Sequence, residues 1–90
     1  MKDRRYAIAK NLITTGYIKT FRDLFEIIPK TTMARDLGMN NMRFSRLLNH
    51  VEDFVLTDIF RMAYLLEITE PEMVNIIYSQ YKADNPRKLV

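Results

Sequence analysis

Apolar residues recur along this chain at three- and four-residue spacing and nowhere alternate over the length of a strand. Tyr6, Ala9, Leu12 and Ile13 draw one such stripe, which predicts a helix over residues 3–15 with Gly16 just past its end. Phe21, Leu24, Phe25 and Ile28 draw the next, over residues 20–28; Thr20 can cap it, Asp23 three residues later gives a box-like start, and Pro29 ends it. A short helix over 32–37 turns Met33, Ala34 and Leu37 inward. Gly38 then supplies the positive φ of a sharp turn, and Met39 fills the space beneath it. A fourth helix, over 41–48, buries Phe44, Leu47 and Leu48. In the connection over 49–56, Phe54 and Val55 are expected to tuck under the following helix. Thr57 is expected to cap that helix, which runs to Leu66 with Ile59 or Phe60, Ala63, and Leu66 or Leu65 inward. Thr69, Glu70, Pro71 and Glu72 open the last helix with a cap, a first-turn proline and acids at the positive end of the dipole. It carries Met73, Val74, Ile76, Ile77 and Tyr81; Asn85 and Pro86 stop it, and residues 83–90 are expected to form a C-terminal tail. The prediction is a single all-α domain over 1–90, a compact bundle of five to six short helices.

Composition narrows the chemistry. The chain has 90 residues, 48% of them hydrophobic and 28% charged, which suits one soluble domain. No apolar run approaches the roughly 18 residues of a membrane span, and Met-Lys-Asp-Arg-Arg at the start lacks the apolar stretch of a signal peptide. With no cysteine, a reducing cytoplasm is the expected location, with no membrane partner. Two glycines cannot build a glycine-rich phosphate cradle, and one histidine with two serines leaves little for a triad or a zinc site. No enzyme activity, metal or cofactor is therefore expected. The net charge of +3 is unevenly placed: residues 1–50 hold 10 Lys/Arg against 4 Asp/Glu, and residues 51–90 hold 4 against 7. A basic front of this kind suits a polyanion.

The stretch 30–50, KTTMARDLGMNNMRFSRLLNH, carries the functional reading. A small Ala34, a glycine four residues on, and two short amphipathic helices lay out a helix-turn-helix over 32–48. With Asn41 at 0° and about 100° per residue, Phe44, Leu47 and Leu48 cluster near 300°, 240° and 340°. The opposite arc holds Met42, Ser45, Arg46 and Asn49, flanked by Asn41 and Arg43, and no acid lies between Asp36 and Glu52. Arginine can bind guanine bidentately, asparagine adenine, and methionine a thymine methyl.

With these residues the chain resembles the lambda-repressor-like, or XRE-type, helix-turn-helix domains. The likeness runs from about Thr20 to Tyr78: TMARDLGMNNMRFSRLL, then FRMAYLLEI, which reproduces the family's fourth-helix pattern, then EPEMVNII. The resemblance implies base contacts from Asn41, Met42, Arg43, Ser45 and Arg46. It implies phosphate contacts from Lys30 and Thr31 through side chains and free backbone N–H groups, and from Asn49, His50 and Thr57 beyond the reading helix. The chain departs from the family in an extra N-terminal helix over 1–19 and in Glu52 and Asp53, where many relatives carry glycine and basic residues.

Two functions follow. The first is a sequence-specific regulator of transcription that binds double-stranded DNA as a homodimer, with the helix over 41–48 in the major groove. The second keeps the scaffold as an antitoxin-like or partner-binding module with weak or no DNA binding; the acids Glu52, Asp53 and Asp58 and an exposed Met42 and Phe54 would mark it. Lys2, Arg4, Arg5 and Lys10 read as a solvated helix face that can add phosphate contacts. Tyr78 and Tyr81 read as core edge or dimer surface.

Overall fold

The structure, a computed structural model, describes residues 3–86. Lys2 of the basic N-terminal run and residues 87–90 of the expected tail lie outside the described residues. Five α-helices follow in order: α1 (Arg5–Thr14), α2 (Lys30–Leu37), α3 (Asn41–Asn49), α4 (Leu56–Leu66) and α5 (Glu70–Asp84). Short 3-10 segments, Phe21–Glu26 and Val51–Asp53, precede α2 and follow α3. No strand occurs among the described residues, and no helix among them is long and apolar enough to cross a membrane. The radius of gyration, 12.4 Å, is close to the roughly 12 Å of a compact chain this long.

Local chemistry explains the boundaries. Beyond α1, Gly16 takes φ +86°, and the N–H groups of Tyr17 and Ile18 both donate to the Leu12 carbonyl. This swings the chain back so that Ile18 is buried. Over 20–28 the capping box forms as expected, with the Asp23 carboxylate accepting from the N–H groups of Lys19 and Thr20 at 3.1 Å each. The element it starts is 3-10 rather than α. A 3-10 helix brings residues i and i+3 onto one side, and Phe21 and Leu24 are both fully buried. α2 begins at Lys30, two residues before the expected Thr32, because Pro29 serves as its cap: the Pro29 carbonyl accepts from Thr32 and Met33. α2 ends on Gly38 at φ +72°, where the Gly38 and Met39 N–H groups close the last turn.

Several expected positions are corrected. Thr57 does not cap α4; it lies in the first turn, and Val55 holds the cap position. Val55 is 55% exposed rather than tucked beneath the helix, while Phe54 is buried as expected. Ile59, Met62, Ala63 and Leu66 face the core, and Phe60 stands outside. On α5, Val74 is exposed and Gln80 takes a buried place. The helix continues to Asp84, so 83 and 84 belong to it and not to the tail. Asp58, grouped by sequence with the surface acids, is buried.

The core joins all five helices. At its centre Phe21, Phe25, Phe44 and Phe54 pack edge to face, with ring centroids 5.2 Å apart for Phe21–Phe25, 5.3 Å for Phe21–Phe54 and 5.8 Å for Phe25–Phe44. Pairs of this geometry contribute about 0.5–1.5 kcal/mol each beyond their burial. α1 is tied in by Tyr6, fully buried, whose hydroxyl donates to Asp36 Oδ2 of α2 at 2.7 Å. Burial, and next this hydrogen bond, push the Tyr6 hydroxyl well above its ordinary pKa.

Candidate nucleic-acid interface

α3 is placed by its two ends and its apolar side. At the front, Asn40 is the cap: its Oδ1 accepts from the Arg43 N–H at 2.7 Å. Asparagine is a favoured cap residue, so Asn40 was open to detection from sequence and was missed. Phe44, Leu47 and Leu48 are buried as the wheel predicts. At the rear, Arg22 Nη2 donates to the Leu48 carbonyl at 3.1 Å. Arg22 is in turn held by Asp84 of α5, Nη1 to Oδ1 at 2.7 Å, and its backbone N–H donates to Gln80 Oε1 at 2.9 Å. These partners lie about 60 residues apart in the chain, so no local pattern could announce them.

The opposite side of α3 faces solvent. Asn41, Met42, Arg43, Arg46 and Asn49 are exposed and Ser45 is half-buried. Met42, 81% exposed, stands in the middle of the face. The Asn49 side-chain amide donates to the Ser45 carbonyl at 3.3 Å. Beside this face lies a notch of about 260 Å³, lined by Arg22, Phe25, Lys30, Ser45, Leu48 and Asn49. It unites three residues expected at the interface, Lys30, Ser45 and Asn49, with the unforeseen Arg22. Lys30 and Thr31 are exposed in the first turn of α2, where backbone N–H groups lack intrahelical acceptors. A phosphate oxygen seated in the notch would meet the Lys30 ammonium, whereas the charge of Arg22 there is balanced by Asp84.

Other expected residues are placed differently. His50 ends α3 with Nδ1 3.7 Å from Glu52 Oε2, so an acid accompanies it. Thr57 lines a separate groove of about 390 Å³ with Asp36, Leu37, Phe60, Arg61 and Tyr64, sharing no residue with the notch. Arg43 is drawn to the flank of α3: its Nη2 lies 3.8 Å from Asp58 Oδ2 on α4. That carboxylate oxygen is buried and has no hydrogen-bond partner. An unsatisfied buried acceptor costs about 1–3 kcal/mol, more when charged, and at 3.8 Å the guanidinium relieves it only through charge. Searches against protein-family models, curated proteins and solved structures find no match to this chain.

Proposed function

We propose that this chain is a sequence-specific, non-catalytic regulator of transcription in the cytoplasm, of the lambda-repressor-like helix-turn-helix kind, which binds double-stranded DNA through α3. The observation that carries the reading is the outward side of α3. Polar and cationic side chains surround the exposed Met42 on it, its apolar side is locked into the core, and it adjoins a notch lined by Lys30 and Arg22. Nine residues at about 1.5 Å each make a rod of about 13 Å, which fits a major groove about 12 Å wide. One small module with few cations binds weakly, so a homodimer on two half-sites about one turn apart is part of the proposal. The test is selection of bound duplexes from a random pool at low salt, with the mass of the complex in solution. Enrichment of one paired motif is expected. Equal retention of wild type and the Arg43→Ala/Arg46→Ala double variant on every duplex would overturn the reading.

A protein-binding role is the second reading. It is favoured by exposed Met42 on α3 and by Phe60 and Tyr64 standing outside on α4, and opposed by the burial of Phe54. Under it, no duplex would be enriched and a protein would protect Met42 instead.

A further inference from the structure

We infer that Asp58 is a positioning residue for Arg43, fixing the direction in which that arginine is presented and narrowing what it accepts. The inference rests on the DNA-binding reading of α3. Arg43 stands on the flank of α3, about 60° around the axis from Arg46 and beside Leu47. Its backbone is pinned through the Asn40 cap, and its guanidinium lies 3.8 Å from the Asp58 carboxylate. Asp58 occupies the first turn of α4, where the helix dipole favours a negative charge. Its side chain is 9% exposed and Oδ2 is orphaned, so the fold holds a desolvated acceptor against one edge of the Arg43 fork. The Arg43 side chain stays 52% exposed and donates no hydrogen bond to Asp58, which leaves the donors of the fork to a ligand.

Two consequences follow from this arrangement. A tethered guanidinium has already lost rotamer freedom that a free one would lose on docking, which favours planar, two-bond recognition of a guanine edge. A guanidinium beside a carboxylate also attracts phosphate less, because part of its charge is balanced. Asp58 thus shifts the work of Arg43 from backbone attraction, which is blind to sequence, toward base discrimination.

The test compares wild type with Asp58→Asn in the full chain, with Glu52→Gln as a control that removes one exposed acid elsewhere. The selected duplex is measured against versions altered at each base pair. In Asp58→Asn, discrimination at the one base pair that Arg43→Ala also affects should fall about tenfold. Binding to unrelated duplexes should rise, with a steeper salt dependence. The control should keep its discrimination at that pair. In the free protein, nitrogen relaxation at Arg43 Nε should show lost order in Asp58→Asn. Unchanged order at Nε overturns the tether, whatever α3 binds. Unchanged discrimination, in a chain whose wild type does select a duplex, overturns its role in readout. A wild type that selects no duplex overturns the DNA reading alone, and the relaxation experiment still decides on the tether. Asp58→Ser, with a side chain at home in a helix's first turn, serves as the second variant if Asp58→Asn does not fold.

Discussion

Arg43 and Arg46 lie three positions apart on α3, yet the fold treats them differently. Arg46 stands on the exposed arc beside Met42 and Asn49, while Arg43 is paired with a buried carboxylate. Arg46→Ala should weaken binding to a selected duplex by about 1–3 kcal/mol and relax preference at one base pair, measured by titration against single-site duplex variants. Lys30→Ala should act on all duplexes alike and lower the slope of log affinity against log salt by about 1. The arc of Met42, Ser45, Arg46 and Asn49 was legible because period 3.6 and the buried trio Phe44, Leu47 and Leu48 fix it locally. The partners that position the helix were not. Arg22 and Asp58 act across tertiary contacts, and Asp58 carries a charge whose burial no periodic pattern announces.

At the scale of the element, the two capping boxes were legible, while the caps of α2, α3 and α4 and the 3-10 type of 21–26 were not. Thr69 and Glu72 close a capping box on α5, and Thr20 with Asp23 does so ahead of the 3-10 segment. The backbone N–H and hydroxyl of Thr69 hold the Glu72 carboxyl below its ordinary value of 4.5. For Asp23, burial pushes the carboxyl up, but the N–H groups of Lys19 and Thr20 outweigh it and leave the pKa lowered. The Arg5 side chain and N–H bring Asp3 down to about 2. A folded pKa below the unfolded one stabilises the fold fully at higher pH and loses that contribution as pH falls through the folded value. Stability should therefore hold above about pH 4.5 and decline from there toward about 2. Thermal melts across that range test this, and Glu72→Gln, which removes one of the three carboxyls, should show a smaller acid-induced drop. Gly38→Ala should cost about 1 kcal/mol. A Cβ there meets only Arg61 Nη2 at an ordinary 3.8 Å, so the left-handed φ is the whole penalty. The choice of 3-10 over α at 21–26 could not be read, since both periods fit a stripe that short and both bring Phe21 and Leu24 to one face.

Across the whole molecule, the uneven charge is stitched together rather than merely divided. Arg22 of the basic half is bonded to Asp84 of the acidic half, and α1 reaches α2 through Tyr6 and Asp36. The N-terminal helix is thus docked on the bundle, bonded to α2 and packed against α4. Tyr6→Phe removes a single hydroxyl and should lower stability by about 1.5–3 kcal/mol, because the lost hydrogen bond runs to a charged acceptor. A urea titration followed by helical circular dichroism should show one transition moved to lower midpoint, without a separate phase for α1. The amphipathic stripes made the all-α bundle legible, whereas the docking of α1 depended on a contact 30 residues away.

The edge-to-face rings have one more consequence, which concerns aim. Phe44 sits between Phe21, Phe25 and Phe54 on the side of α3 directly away from its polar arc. Those rings act as a keyway that sets the roll of the helix about its own axis. Side-chain tips lie roughly 6 Å from that axis, so a roll of about 10° moves them by about 1 Å. Hydrogen-bond lengths tolerate only about 0.5 Å of spread. A core change such as Phe44→Leu would therefore retarget the polar face without altering any residue on it.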